Sequence, residues 1–374
     1  MRSLKSLARS APSNHYFPDP VIAQGSWRIK KNMRTRPISS SSPVPPRLAE
    51  AQSAKAAQAH RPVLLHEVSS MLDVQKDDVV VDATLGGGGH AEELVKGLGG
   101  NGLFIGFDAD SDALQRAREV LAKSRAPVRL VCGNFRNIER ELERLGVKSI
   151  TKALFDLGWS SYQLDSGRGF SFKADEPLLM TYQKELQSDT LTASTVVNTW
   201  GESSIADIIY GFGEERYARR IAKAIVEYRA RKTIESSQEL SEIVRAAVPI
   251  HYRRGKLHPA TRTFQALRIA VNDELGALQE GLEAAWKILR PGGKIAVISF
   301  HSIEDRVVKR MFAGLVKKGE GRLLVKKPTV PTREEMLENP RARSAKLRAI
   351  EKISYESSHS KNKQIRSLDI SGET

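Results

Sequence analysis

Apolar and polar positions along this chain follow two different rhythms. Between residues 76 and 164, short apolar runs alternate with helical stripes. Val79-Val80-Val81 follows the turn Lys76-Asp77-Asp78, and a β-branched run of this kind suits a strand buried on both faces. Asp82-Ala83-Thr84-Leu85 leads into Gly86-Gly87-Gly88-Gly89, and a helix is predicted from about His90 to Leu98, stopped by Gly99-Gly100. Leu103-Phe104-Ile105-Gly106-Phe107 is a second strand that ends at Asp108, after which Ala113, Leu114, Ala117, Val120 and Leu121 recur at helical spacing. Val128-Arg129-Leu130-Val131 is a third strand, and Ala153-Leu154-Phe155 a fourth that ends at Asp156. Strand and helix in regular alternation imply a parallel sheet with right-handed crossovers.

From about Asp165 to His258 the rhythm is helical throughout. Val196, Ile205, Ile208, Ile209, Ile221, Ile225, Leu240, Ile243 and Val244 recur at helical intervals, and strand candidates are absent. The sheet pattern then resumes. Leu275, Leu278, Leu282, Ala285, Trp286 and Leu289 form a helix stripe ended by Pro291-Gly292-Gly293; Lys294–Phe300 is another strand, and Ser302–Phe312 another helix. From Lys326 onward the chain reads as mixed, basic and partly ordered. The expected fold is α/β, a doubly wound Rossmann-like sheet interrupted by an all-helical domain. The expected division is a basic extension at 1–58, the first part of the core at 59–164, the helical insertion at 165–258, the second part of the core at 259–350 and a flexible tail at 351–374.

Charge adds a candidate partner. The net charge is +15 and the pI about 9.8, and a basic surface draws polyanions, most commonly nucleic acid. The first 50 residues carry nine Lys/Arg against two acids and include Ser39-Ser40-Ser41-Ser42-Pro43-Val44-Pro45-Pro46, a linker composition. This Arg- and Ser-rich stretch reads equally as a disordered basic arm, an upstream extension of the reading frame or an organelle transit peptide. No apolar run of about 18 residues predicts a membrane span. Cys132 is the only cysteine, which leaves neither a disulfide framework nor a cysteine-based zinc site within one chain.

Candidate chemistry lies at the strand ends. Ligands of such sheets bind beyond the carboxyl ends of the strands, where Asp82, Asp108, Asn134 and Asp156 converge. The glycine run joins a strand to a helix, so its backbone can approach an anion at the helix start: pyrophosphate in a dinucleotide enzyme, a methionine carboxylate in a methyltransferase. Gly86, Gly88 and Ala91 also satisfy the looser dinucleotide fingerprint, so this loop does not separate the two. Asp108 is placed to accept both ribose hydroxyls of a nucleoside; a solvated loop acid is the alternative. Phe135 reads as an adenine cover or as core packing. Asp156, with Ser160 beside it, is the candidate catalytic pair: a cytosine amine is a poor nucleophile, and acceptors that hold and aim it supply much of the rate. Trp159 or Tyr162 would stack on an unstacked base, with core packing the alternative for Trp159. Arg253, Arg254 and Lys256, together with His258 and Arg262, are assigned to the RNA backbone, with a solvated charged face as the alternative. No cluster of His and acids shows metal-ligand spacing.

Eight motifs occur in order: Asp82–His90, Gly133–Phe135, Asp156–Leu164, Arg168–Phe172, Tyr210–Arg216, His258–Arg268, Ser299–Lys309 and Asn339–Ser344. Together, over about residues 60–350, they resemble the bacterial ribosomal RNA small-subunit methyltransferase H family, also called MraW. The resemblance implies a class I methyltransferase core with a helical insertion, and N4-methylation of a decoding-centre cytidine in small-subunit ribosomal RNA. It implies S-adenosyl-L-methionine as cofactor, contacted by Gly88, Gly89, His90, Asp108, Phe135, Asp156 and Gln163, with His90 a hydrogen-bonding residue at a helix start. Two departures stand out: Tyr162 replaces the family's usual Pro, and Leu178-Leu179-Met180-Thr181-Tyr182 replaces Leu-Asp-Met-Arg-Met. Ribosomal RNA or the assembling small subunit is the implied partner, and a homodimer is left open. Cytoplasm is the expected compartment, with a mitochondrion or plastid the alternative if residues 1–50 are a transit peptide. A nicotinamide-dependent oxidoreductase and a non-catalytic RNA-binding protein are the competing functions.

Overall fold

The computed structural model describes residues 62–158, 167–172, 174–183 and 186–354. Among these, seven strands form one sheet: β1 (Val79–Asp82), β2 (Leu103–Asp108), β3 (Val128–Cys132), β4 (Ile150–Asp156), β5 (Leu289–Ser299), β6 (Gly321–Leu323) and β7 (Lys346–Lys352). Their order is β3-β2-β1-β4-β5-β7-β6. The first five are parallel neighbours, whereas β7 runs antiparallel to both β5 and β6.

The apolar runs are continuous because this sheet is covered on both faces, and successive side chains point to opposite sides. Val80, Phe104, Leu154, Ala296 and Ile298 pack on one face with helices α1 (Leu65–Leu72), α2 (Gly89–Leu94) and α3 (Ser111–Val120). Val81, Ile105, Phe107, Phe155, Ile295 and Val297 pack on the other, against α4 (Ile138–Arg144) and the two later helices α11 (Glu274–Ile288) and α12 (Ser302–Lys317). This is the doubly wound arrangement expected from the sequence.

Between β4 and α11 the described elements are helices: α5 (Ala193–Thr199), α6 (Glu202–Gly213), α7 (Ala218–Arg229), α8 (Ser237–Ala247), α9 (Ile250–Arg253) and α10 (Thr261–Asn272). They surround a separate apolar core containing Val196, Ile205, Ile209, Ile221, Ile225, Leu240 and Val244. α10 belongs to this core through Phe264, Ala266 and Leu267, so the helical packing continues past residue 258, where the sequence reading returned the chain to the sheet. The change of body falls instead at Asp273, a left-handed residue (φ 46°) between α10 and α11.

Two features depart from the sequence reading. β5 starts at Leu289 and runs through Pro291-Gly292-Gly293, with an irregular register against β4; Gly292 takes a left-handed φ of 77° there. β7, in the region read as mixed and partly ordered, is an inner strand with Leu347, Ala349 and Ile350 buried. Its charges hid it, because Arg348 reaches Asp305 with an Nε–Oδ1 distance of 2.6 Å and is accommodated as an ion pair.

Candidate active site

Asp82, Asp108 and Asp156 end β1, β2 and β4, and Asn134 follows β3 by one residue beyond Gly133. They do meet at the carboxyl edge of the sheet, and hydrogen bonds stitch them together. Asp108 accepts from the backbone N of Gly86 (2.8 Å) and of Asp110 (2.8 Å), which ties the glycine turn to the second strand. Asp110 in turn caps α3 through its Oδ1 and the N of Asp112 (3.0 Å). Thr84 links β1 to β4: its hydroxyl accepts from the N of Asp156 (2.6 Å) while its own N donates to Asp82 (3.1 Å). The resulting pocket is lined by Gly86, Asp108, Phe135 and Asp156, and on its far side by Tyr182, Glu274 and Glu304.

Burial dominates the electrostatics of the pocket floor. Asp82 is 1 % exposed, and desolvation pushes its carboxyl up to about 7, against a partly offsetting pull from His90. Desolvation also raises Asp108, opposed by its two backbone hydrogen bonds. His90 is 6 % exposed, with its Nε2 3.5 Å from Oδ2 of Asp156. Burial alone would depress its pKa, but Asp156 first, and then Asp82 and Glu335, outweigh burial and raise it. The Oδ1 of Asp156 is buried without a hydrogen-bond partner among the described residues.

The residues singled out by sequence divide into three groups. Asp108, Phe135 and Asp156 line the pocket. Phe135 also has the packing role weighed as its alternative: it meets Phe155 edge to face at 5.6 Å. Gly88, Gly89 and His90 lie behind the lining. Gly88 has φ 85°, and a Cβ there would meet Ala117 at 3.3 Å; one on Gly89 would strike Pro62 at 2.6 Å. These two glycines allow α2 to sit against its neighbours, and Gly86 is the one that faces the pocket. Trp159, Ser160 and Gln163 fall outside the described residues.

The residues assigned to RNA are mostly engaged within the fold. Arg253 donates from Nε to the carbonyl of Val248 (3.0 Å) and from Nη2 to that of Ala246 (2.9 Å), capping the end of α8. Arg262 donates to the carbonyl of Glu214 (2.6 Å). His258 stacks on Phe172 with centroids 4.5 Å apart. Arg253, Arg254, Lys256 and His258 are all exposed.

Sequence reasoning did not select the far wall. Glu304 caps α12 in a box with His301, a His-x-x-Glu version of the familiar helix-start signal, which the sequence did display. Tyr182, Asn272 and Glu274 carry no such signal. The fold also brings Glu274, His301 and Glu304 within ligating distance of one another, a grouping invisible in linear spacing. Their carboxylates already have protein partners: Tyr182 (2.8 Å) and Arg268 (2.7 Å) on Glu274, the N of Phe300 (2.8 Å) on Glu304.

A nucleoside-bearing sulfonium fits these residues. Each Asp108 oxygen keeps a second lone pair for a ribose hydroxyl, Phe135 offers an aromatic surface beside it, and Asp156 supplies a carboxylate for the cationic end. Comparison with known proteins points the same way. Residues 57–353 match the MraW methylase family. The chain is 44% identical over 310 residues to the ribosomal RNA small subunit methyltransferase H of Clostridioides difficile, covering 79% of this chain and 99% of that protein. Proteins of the same name from Paenibacillus sp. (46% over 316 residues, 79% and 99% covered) and Heliobacterium modesticaldum (47% over 311 residues, 79% and 98% covered) are equally similar.

Proposed function

This chain belongs to the MraW methylase family, and we propose that it transfers a methyl group from S-adenosyl-L-methionine to the exocyclic N4 of a decoding-centre cytidine in small-subunit ribosomal RNA. The observation that carries the chemistry is the buried Oδ1 of Asp156, without a hydrogen-bond partner among the described residues, in the same pocket as Asp108. An unsatisfied buried carboxylate oxygen costs on the order of 1–3 kcal/mol or more, a cost that a bound amine donating to it would offset.

The cofactor, when bound, supplies an electrophilic methyl on a sulfonium. Asp108 orients its ribose and the turn at Gly86 leaves room for its amino-acid end. Asp156 accepts a hydrogen bond from the N4 amine, which restrains the amine and turns its lone pair toward the methyl carbon. With the donor bound, the amine would take the methyl as the sulfonium's S–C bond broke, and the surplus N4 proton would pass to Asp156 or to water. Much of the acceleration comes from alignment. His90, with its Nε2 3.5 Å from Oδ2 of Asp156, braces that carboxylate from the side away from the amine. The substrate is ribosomal RNA or the assembling small subunit, whose polyanionic surface suits a chain of net charge +15.

Purified protein, small-subunit particles lacking the modification and methyl-labelled cofactor test this directly. Mass spectrometry of the digested RNA should show one labelled N4-methylcytidine per particle. Label on another nucleoside would overturn the target assignment. Thermal stabilisation by NAD but not by S-adenosylhomocysteine would overturn the cofactor and revive the oxidoreductase reading. Among the described residues, no helix is long and apolar enough to cross a membrane.

A further inference from the structure

Tyr182 is held more firmly than a pocket-lining aromatic needs to be. Its ring lies on Phe170, with centroids 5.6 Å apart and planes 15° from parallel. Its hydroxyl donates to Oε1 of Glu274 (2.8 Å), and Oε2 of Glu274 accepts from Arg268 (2.7 Å), which is 2 % exposed. Its backbone is fixed as well: the N donates to Oδ1 of Asn272 (2.8 Å), and the carbonyl accepts from Arg168 (3.0 Å). Asn272 returns a bond to the carbonyl of Met180 (2.8 Å). Burial, then the neighbouring Glu274, raises the phenol well above its ordinary value, so it stays neutral. One ring face is taken by Phe170, and Tyr182 lines the pocket that contains Asp108 and Asp156.

The order of the sheet indicates which part of the pocket this is. Asp108 ends β2, and β1 and β4 lie between it and β5. Glu304, which follows β5, lines the same pocket as Tyr182 and adds to the field around its phenol. A nucleoside held by Asp108 occupies the β2 side. Tyr182 is linked to the β5 side through Glu274, which lies within 4.8 Å of the Glu304 carboxylate.

We propose that Tyr182 is the stacking platform of the acceptor site: the unstacked target cytosine lies on the ring face away from Phe170, with its amine directed at Asp156. This rests on the methyltransferase reading above and adds a substrate-contacting residue to it. A ring locked at its hydroxyl, backbone and one face loses little freedom when a base lands on it, so the gain from stacking goes into affinity and alignment.

The test uses the full chain with small-subunit particles as substrate, comparing Tyr182→Leu with Tyr182→Phe. Base–aromatic stacking predicts a rise of roughly tenfold or more in KM for the particle with Tyr182→Leu. Tyr182→Phe, which keeps the ring, should stay within roughly threefold of the parent. S-adenosylhomocysteine affinity, measured by titration calorimetry, should change less than twofold in either, which also reports that both variants are folded. Equal losses in the two variants would overturn the stacking role in favour of the hydroxyl. So would loss of S-adenosylhomocysteine affinity in a Tyr182→Leu protein with a native circular dichroism spectrum, since the ring would then belong to the donor side. An unchanged KM for Tyr182→Leu would also overturn it. Failure of the parent protein itself to methylate the particles would count against the methyltransferase reading, and is distinguishable because it requires no variant.

Discussion

The two walls of the pocket were built by different rules. The near wall comes from the sheet. Asp82, Asp108 and Asp156 each end a parallel strand, so chain topology alone brings them to one edge. The far wall comes from the helical body and its junction with the core. Tyr182, Asn272 and Glu274 meet there because Arg268 and Glu274 pair across the left-handed break at Asp273. The near wall should thus fail chemically when altered, with its fold largely intact. The ion pair that supports the far wall should fail in stability first, leaving Tyr182 as the one residue of that wall whose loss shows in substrate affinity.

The sharpest test of this contrast pairs one substitution from each wall. Asp156→Asn keeps the side chain's size and removes its charge. Methyl transfer should fall by roughly 10²–10⁴-fold, with S-adenosylhomocysteine binding retained and the denaturation midpoint shifted little. Arg268→Ala removes a buried guanidinium, leaves the half-buried Glu274 without its ion-pair partner, and should lower stability by about 1–3 kcal/mol in urea titration. A stable, inactive Arg268→Ala protein, or an unfolded Asp156→Asn protein, would erase the distinction between the walls.

The near wall has its own dependence on pH. Burial pushes Asp82 up to about 7 when folded, against an ordinary 3.8 when unfolded. Between those values the folded chain holds a proton that the unfolded chain has released, so stability falls as pH rises through that window. A single group contributes at most about 1.4 kcal/mol per pH unit. His90, also raised, adds to the fall at the upper end. Asp82→Asn should flatten the curve of unfolding free energy against pH between about 4 and 7. An unchanged slope would mean that the buried carboxyl is ionised in the folded protein.

The same division decides what was legible in the sequence. Strand-end acids could be read because a β-branched run followed by Asp needs no tertiary knowledge. Which of four consecutive glycines faces the ligand could not be read, because Ala117 and Pro62, brought up by the fold, set the answer for Gly88 and Gly89. β7 was hidden because Lys346, Arg348 and Glu351 break its apolar pattern, and only Asp305, from α12, makes Arg348 tolerable inside the sheet. Tyr182 was noted only as a departure from a motif. Its importance depends on Phe170, Glu274 and Asn272, none of which predicts the others by spacing. A basic composition pointed to nucleic acid, yet could not say which cations are already in use.

That last point carries the smallest expected effect, and it separates two neighbours only three residues apart. Arg253 and Lys256 look alike in sequence as members of one basic run. In the structure both are exposed, but the guanidinium of Arg253 is tied to two carbonyls at the end of α8. A guanidinium held against two carbonyls must give up those bonds to turn toward a phosphate, while an ammonium on a flexible stem can meet one without such a loss. Arg253→Ala should therefore cost about 1 kcal/mol of stability, the usual worth of a helix-end hydrogen-bonded group, and leave the salt dependence of RNA binding unchanged. Lys256→Ala should leave stability within about 0.5 kcal/mol and reduce the slope of log affinity against log salt by about 0.7–0.9, one phosphate's share. Filter binding to small-subunit RNA between low and moderate salt, alongside urea titration, measures both. If Arg253→Ala changed the slope and Lys256→Ala did not, the helix cap would be the RNA contact, and the division between structural and free cations would have to be redrawn.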